Sequence, residues 1–484
     1  MKIDIDHLLK DQKELIDCLH LIGKEGRRSN LETYIVGGIV RDAFMGHPIT
    51  DLDIVVTGNG LDFADQIART LHAGPVVKFH PFGTAMIPYK HIQIEIATAR
   101  KETYRSDSRK PDVVFTDLTE DLRRRDFTIN AMAVDIRPDH YGEFKDPFNG
   151  IRDLKIEVIR TPLDPEETFF DDPLRMLRAI RFATRFQFRI SDETFNAIKK
   201  AAERIQIISM ERIRDELLKT LMASQPSMGF ILMENTGLLP LILPEISGLK
   251  GVEEKNGFGH KDVFYHSLKV VDNVCKMTDN LTVRLAALFH DVGKPATKRF
   301  FPNQGWTFHG HEDVGARMFE TIGRHLKLPV RQIKEIRKLI RLHLRPIAIA
   351  GDEVTDSAVR RLRVEAGESI HDLLTLCRAD ITSKNPEKIR EYQNNFDEVE
   401  KRIQVVEEKD RLRAFQSPVR GWELMDFYQI PPGPLVGKIK SLIENAILDG
   451  EIPNEYEAAK DWLIKNKDAL LEKARKIQSV TRKT

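Results

Sequence analysis

The first third of the chain alternates apolar and polar positions with a period of two. Residues 34–36, 51–57, 84–89, 91–98 and 131–136 form β-branched or alternating runs, and residues two apart on such a run share one face of a sheet. Beyond Asp153 the period lengthens. Leu174, Leu177 and Ile180 recur three apart from Asp171 onward, and Phe195, Ile198 and Ala201 or Ala202 mark a second segment, the spacing of an amphipathic helix. The fold class expected is α+β: a head with a small mixed β-sheet, then an all-helical body.

Punctuation divides that body. The stretch GLLPLILPEISGLKG (237–251) spaces two prolines through apolar residues and reads as an irregular join, which puts a boundary near Lys250. A charged helical stretch runs from Asn385, a cap ahead of Pro386, to Arg413. Gln416-Ser417-Pro418 follows, so a further boundary falls near Leu412. The expected domains are 1–153, 154–249, 250–412 and 413–484. A length of 484 residues suits several domains of roughly 150 residues each.

Charge and cysteine usage narrow the setting. The 75 basic and 74 acidic side chains leave a formal +1, so a nucleic-acid partner must be held by a local basic surface. Cys18, Cys275 and Cys377 are widely spaced with no CxxC, which points to a reducing compartment. No stretch approaches the roughly 18 apolar residues of a membrane span. A cytoplasmic protein with no membrane partner is expected.

Candidate chemistry begins at YIVGGIVRDAFMG (34–46), where a strand runs into Gly37-Gly38 and then a helical pattern carrying Arg41. Such a glycine pair serves either as plain turn geometry or as a phosphate cradle to which Arg41 adds a fork. In the strand that follows, Asp51 and Asp53 point one way while Leu52, Ile54 and Val56 face the core. Two neighbouring anions repel unless a divalent cation sits between them, and Mg2+ takes a few carboxylates plus phosphate oxygens. Together these residues suggest nucleotidyl transfer.

GGxxR followed by DxD resembles the nucleotidyltransferase superfamily. RRRDFTINAMAVDI (123–136) and DPFNGIRDL (146–154) are similar to motifs of the tRNA nucleotidyltransferase and poly(A) polymerase group. The resemblance implies that Asp51 and Asp53 hold Mg2+ and are catalytic, with Glu95 a supporting strand acid. Gly38, Arg41, Arg124, Arg125 and Asn130 would bind nucleotide, the arginines through the triphosphate and Asn130 through a ribose hydroxyl. Asp146 and Asp153 are assigned structural roles. Asp172 and Arg175, three apart, would project from one helix face, where such a pair is commonly an ordinary salt bridge. Here they resemble the EDxxR motif, which implies an acid and an arginine reading the incoming base, with Arg178 beside them. Aspartate accepts from an exocyclic amine while arginine donates to the adjacent ring acceptor, so C and A fit. Asp171 stands where the family has Glu. SMERIRDELLK (209–219), with Ser209 as N-cap, resembles the motif that braces this region. The polar segment from Lys101 to Thr119, including Arg105, Arg109, Lys110, Pro111 and Asp112, is expected to be the loop that helps switch from C to A.

A second constellation lies downstream. His290-Asp291 ends an apolar helix, His266 precedes it and Asp380 follows, together resembling the H…HD…D pattern of HD-domain phosphohydrolases. The resemblance implies that these four residues hold a second divalent metal, with His311 and His343 where some HD domains carry further ligands; His260, His309 and His371 are given no ligand role. Near the end, Gly433 to Lys438 before a helix, Lys440 and a basic tail suit tRNA phosphates. The whole pattern resembles the CCA tRNA nucleotidyltransferases of the bacterial and eukaryotic class. It implies a nucleotidyltransferase head, a helical neck, an HD domain and a C-terminal tRNA-contacting unit, with tRNA, CTP and ATP as partners. The rivals are an A-adding enzyme or poly(A) polymerase, an HD phosphohydrolase with an RNA-binding head, and a noncatalytic RNA-binding module.

Overall fold

The period-two runs of the head pair into a seven-stranded mixed sheet. Its strands include β1 (Thr33–Val36), β2 (Asp51–Val56), β3 (Val77–Phe79), β4 (Thr84–Tyr89) and β5 (Ile92–Thr98). After a hairpin of β6 (Arg100–Arg105) and β7 (Ser108–Phe115) come β8 (Ala133–Asp135) and β9 (Phe144–Lys145). The order across the sheet is β3-β4-β5-β2-β1-β8-β9. β2 and β5 run parallel, with Asp51 opposite Gln93 and Asp53 opposite Glu95, while the other neighbours are antiparallel. The structure is a computed structural model describing residues 1–49, 51–105, 108–251, 254–255, 258–259, 262–349, 355–382, 385–411 and 417–481. The chain divides into two units, Met1–Gly248 and Leu249–Thr484.

One face of the sheet is the main core of the head. Leu52, Ile54 and Val56 are buried there with Ile35, Ile94 and Ile96, against Leu15, Leu19 and Ile22 of the helix Lys13–Arg28 and Phe63 and Ile67 of the helix Gly60–Thr70. Fully burying one such side chain contributes about 1.5–3 kcal/mol, so the register of β2 is strongly fixed. A one-residue slip would bury Asp51 and Asp53 and expose three aliphatics. The opposite face carries a smaller cluster that includes Tyr34, Val36, Val55 and Leu122, and β2 presents its two acids on that side.

Three expectations change on contact with the structure. The segment expected to be a loop from Lys101 is an antiparallel hairpin, β6 on β7, with an irregular register between Thr103 and Arg105. Its Val113-Val114-Phe115 run favours a strand over a polar connector. Helix does not run through Asp171: one helix spans Pro165–Asp171, the next Leu174–Phe186, and Asp172 between them is extended at φ −138°, ψ 100°. Pro173 is the cause, because a proline pushes the preceding residue out of helical geometry. Asp172 and Arg175 therefore do not share a continuous helix. Ser209 does occupy the N-cap of the helix Met210–Leu221, but its side chain makes no capping bond.

The second unit is mostly helical, with a small hairpin of Arg299–Phe301 and Gly305–Thr307. Asn385 caps the helix Pro386–Arg411, its Oδ1 accepting from the Glu387 amide at 2.9 Å. The expected boundary at Leu412 and the residue His260 lie outside the described residues. The last helices form their own core around Leu424, Ile439, Ile443, Ala459 and Leu463. Among the described residues no helix is long and apolar enough to cross a membrane.

Candidate active site and metal centre

Alternation along β2 places Asp51, exposed, and Asp53, half-buried, on one sheet face, and the parallel register brings half-buried Glu95 alongside Asp53. Burial lifts the Asp53 carboxyl above its usual range; Arg125 pulls it back and the Asp51 charge raises it further. Glu95 is likewise raised by burial and then by Asp53. Neighbouring carboxylates of this kind, with Asp51 raising Asp53 and Asp53 raising Glu95, suit a cation, which would offset that repulsion.

The glycine turn faces these acids through Arg125. Gly37 sits at φ 72°, ψ −124°, a conformation open to glycine alone, and a Cβ there would meet Arg125 Nη1 at 2.7 Å. Arg125 Nη2 donates to Asp121 at 3.2 Å, while its buried Nε has no hydrogen-bond partner among the described residues. Arg124 is anchored on the same Asp121 at 2.6 Å. Asp121 is fully buried, and although burial opposes its charge, Arg125 and Arg124 hold its carboxyl below the usual range.

Arg41 and Asn130 are placed differently from the sequence expectation. Arg41 is buried, with its guanidinium paired to Asp42 at 2.9 and 2.8 Å and to Asn130 Oδ1 at 2.5 Å, over the rings of Phe182 and Phe186. Asn130 donates in turn to Asp126 at 2.9 Å, and Arg178 meets the other Asp126 oxygen at 2.8 Å. Burial works against the Asp126 charge, but Arg178 and these hydrogen bonds hold it down at about 2. A buried polar chain thus runs from the glycine turn to the helix Leu174–Phe186. It continues through Arg181, which donates to Glu216 at 2.5 Å.

Asp172 and Arg175 lie close in the chain but hold separate partners. Asp172 Oδ1 accepts from the Leu174 amide at 3.1 Å and Oδ2 from Arg212 Nη2 at 2.9 Å. Arg175 Nη2 donates to the Arg124 carbonyl at 2.7 Å, linking it to the arginines beside the acids. Asp121, Asp126, Arg181, Arg212 and Glu216 were not singled out from sequence. The signals were present: Asp121 lies three and four residues before Arg124 and Arg125, Asp126 completes RRD, and Arg212 and Glu216 lie four apart in SMERIRDELLK. Asp146 and Asp153 do brace: Asp146 accepts from the Gly150 and Ile151 amides at 2.6 and 3.0 Å, and Asp153 from Thr128 at 2.7 Å.

In the second unit six residues converge from five helices. His266 lies in Val263–Cys275, His290-Asp291 end Leu281–Phe289, and His311 begins His311–His325. His343 ends Val330–Leu342 and Asp380 ends Ile370–Asp380. Gly293 permits this closeness, since a Cβ there would meet the His311 carbonyl at 2.2 Å. Nδ1 of His290, His311 and His343 donates to the carbonyls of Ala287, Phe308 and Ile340 at 2.8, 2.8 and 2.6 Å. A carbonyl only accepts, so Nδ1 carries the proton and Nε2 is left as the ligand atom. Burial pushes His343 down to about 4, which keeps it neutral. Burial also opposes charge on His290, yet Asp291 and Asp380 raise it to about 10, so a metal ion there would have to displace a proton. Lys294 Nζ rests 2.6 Å from Asp291 Oδ2. Exposed His309 and His371 stand outside both triads of converging ligand atoms.

Both donor sets fit divalent ions: oxygen ligands in the head, imidazole with carboxylate in the second unit. The chain matches the Poly A polymerase head domain over residues 33–160, the probable RNA and SrmB-binding site of polymerase A over 187–249, and the HD domain over 263–385. It is 34% identical to a multifunctional CCA protein of Laribacter hongkongensis, across 72% of this chain and 84% of that one. It is 33% identical to an A-adding tRNA nucleotidyltransferase of Deinococcus radiodurans, across 70% and 78%. Among solved structures it resembles a Thermotoga maritima CCA-adding enzyme complexed with tRNA, with a TM-score of 0.60 and 25% identity over 96% of this chain and 98% of that one. With a head, neck and HD region matched in order and a relative at this identity aligned over most of its length, the chain belongs to the family of CCA-adding tRNA nucleotidyltransferases.

Proposed function

We propose that this chain adds C, C and A to tRNA 3′ ends from CTP and ATP without a nucleic-acid template. The observation that carries the reading is the union, within one unit, of the β2 acids with the Arg124–Arg125 pair and, through the Arg124 carbonyl, with Arg175 and the Asp172 turn. Mg2+ held by Asp51 and Asp53 would stabilise charge on the α-phosphate and the attacking 3′ oxygen. Arg125, with its unbonded Nε, and Arg124 orient the triphosphate. Gly38 opens the helix that faces it. Asp172 accepts the amine of cytosine or adenine and Arg175 donates to the neighbouring ring nitrogen, which rejects uracil and guanine. Arg41, Asn130 and Arg178 act from behind, fixing the glycine turn and the neck helix relative to each other.

The three cysteines are all free, which fits a cytoplasmic setting. In the second unit, His266, His290, Asp291 and Asp380 are read as ligands of a divalent metal serving a phosphohydrolase activity.

Purified protein incubated with tRNAs ending before the first C, after CC or after CCA, with labelled CTP and ATP, tests the proposal. Incorporation of C, C and A on the first, A alone on the second and nothing on the third is expected. No incorporation on any of them would overturn it. Because one relative is named for A addition alone, a product only on the CC end would assign this chain to that narrower activity.

A further inference from the structure

The acid face of the head sheet does not end at Glu95. Residues paired across neighbouring strands share a face, and the register carries the row outward. Asp53 stands opposite Glu95, Glu95 opposite Met86 on β4, and Met86 opposite Val77 on the edge strand β3. The next row runs from Val55 through Ala97 and Thr84 to Phe79. Strands lie about 4.8 Å apart, so the Met86 and Val77 positions are roughly 10 and 14 Å from that of Asp53.

This outer part of the face is apolar and uncovered. Val77 is 52% exposed and Phe79 42%, and in the turn to β4 Phe82 is 42% exposed. Phe115, at the end of β7, is 60% exposed and rests its ring on Gly83, where a Cβ would meet it at 2.8 Å. Arg100 ties the patch to the acids. Its guanidinium lies 5.6 Å from the centre of the Phe82 ring, and its Nη1 donates to the Phe82 carbonyl and, at 3.2 Å, to Thr84 Oγ1. Burial and Asp53 raise the Glu95 carboxyl, and the Arg100 charge draws it back. A contiguous patch of exposed aromatic and aliphatic side chains beside a polar site marks a surface that a ligand covers.

The layout of the sheet selects that ligand. Gly37, with Arg125 beside it, follows β1, which flanks β2 on the side away from β5. The triphosphate donors therefore occupy one side of the acids. In-line displacement sets the attacking oxygen opposite the departing pyrophosphate, so the RNA end approaches from the other side, over Glu95. We propose that Val77, Phe79 and Met86, with Phe82 and Phe115, form a floor on which the last base of the tRNA stacks while its 3′ hydroxyl reaches Asp51 and Asp53. The proposal rests on the nucleotidyl-transfer reading of the head. Successive additions present different ends, first the base that precedes the added residues and then C. A hydrogen-bonding pocket built for one base would reject another, whereas an aromatic floor accepts any base because each has a π face. Arg100 at the inner edge adds a positive charge for the phosphodiester.

The test measures A addition by full-length protein on two tRNAs ending in CC, one natural and one whose terminal ribose lacks its base. F79S with F115S should lower kcat/KM for the natural tRNA by about tenfold, with KM for ATP unchanged, and F79Y with F115Y should restore it. In the parent, removing the terminal base should cost a similar factor. In the F79S with F115S protein it should cost little more, because the base has already lost its floor. An unaltered kcat/KM for the natural tRNA would overturn the proposal and assign the patch to another partner, such as a protein or a second copy of the chain. Equal losses from base removal in both proteins, or no loss in the parent, would overturn it as well. Failure of the parent to extend any tRNA would instead overturn the nucleotidyl-transfer reading, and the floor with it.

Discussion

In the head, the candidate metal ligands alternate along one strand and its neighbour, whereas in the second unit they arrive from the ends of five helices. The head acids lie on a sheet face where one of them, Asp51, is exposed, and the lone glycine turn and arginines opposite offer donors rather than ligands. Only the second unit, among the described residues, gathers ligand atoms into triads within 4.8 Å. The difference suits what each site is proposed to bind. A nucleotide brings its own phosphate oxygens to complete a metal shell, so an open pair of carboxylates is enough. A site whose imidazoles are already fixed through Nδ1 would hold an ion without substrate.

The sharpest way to break this comparison is to remove each ligand set in turn. D51N or D53N should lower nucleotide incorporation on tRNA by about 100-fold or more, since an uncompensated charge at the reacting phosphate costs at least as much as a lost oxyanion donor. H290Q with D291N should change that rate little while eliminating the metal retained through gel filtration. If the second pair abolished incorporation as fully as the first, the two sites would not be independent and the functional division drawn between the units would fail.

The next test separates the buried network behind the head site from the exposed ligands in front. The Asp126 carboxyl is held at about 2 against an ordinary 3.8. Because the folded value is depressed, its stabilisation is fully present above the unfolded value and is lost as pH falls from 3.8 toward 2. The size is about 2 kcal/mol. D126N removes the titration, so its urea midpoint should fall less steeply than that of the parent across that window. Equal slopes in the two proteins would show that Asp126 is not ion-paired with Arg178 in solution.

Much of the head site was legible because β-structure has a strict period. Reading Asp51, Asp53, Leu52, Ile54 and Val56 as two faces needed only alternation, and the buried aliphatics follow it. The H…HD…D residues were recognisable from a motif whose chemistry is in the side chains. What the sequence did not disclose is which donors are already spent. Arg41 and Asn130 look like ligand-binding groups in one dimension, but Arg41 meets Asn130 and two phenylalanines of the neck helix from distant positions, and Asn130 spends its amide on Asp126, four residues before it. The hairpin at Arg100–Phe115 was hidden for another reason: the polar residues ahead of Val113-Val114-Phe115 resemble a connector, and only that short closing run carries strand propensity.

The smallest expected effect concerns Arg212, which sits on the helix Met210–Leu221 and bonds Asp172 Oδ2 while the Leu174 amide holds Oδ1. Asp172 lies in an extended break between helices, so its carboxylate is oriented by those two bonds and not by a helix. Removing one of them leaves the acid present but free to turn, which weakens acceptance of the base amine without removing it. A good bidentate pair discriminates by about 1–3 kcal/mol, and loss of its alignment should forfeit part of that. R212A is therefore expected to reduce the ratio of kcat/KM for CTP over UTP by about tenfold, roughly 1.4 kcal/mol, with R212K recovering some of it. A brace that merely stabilised the neck would slow both nucleotides alike and leave the ratio where it was. The preference between the two nucleotides, rather than the rate with either, thus decides whether Arg212 positions the base reader.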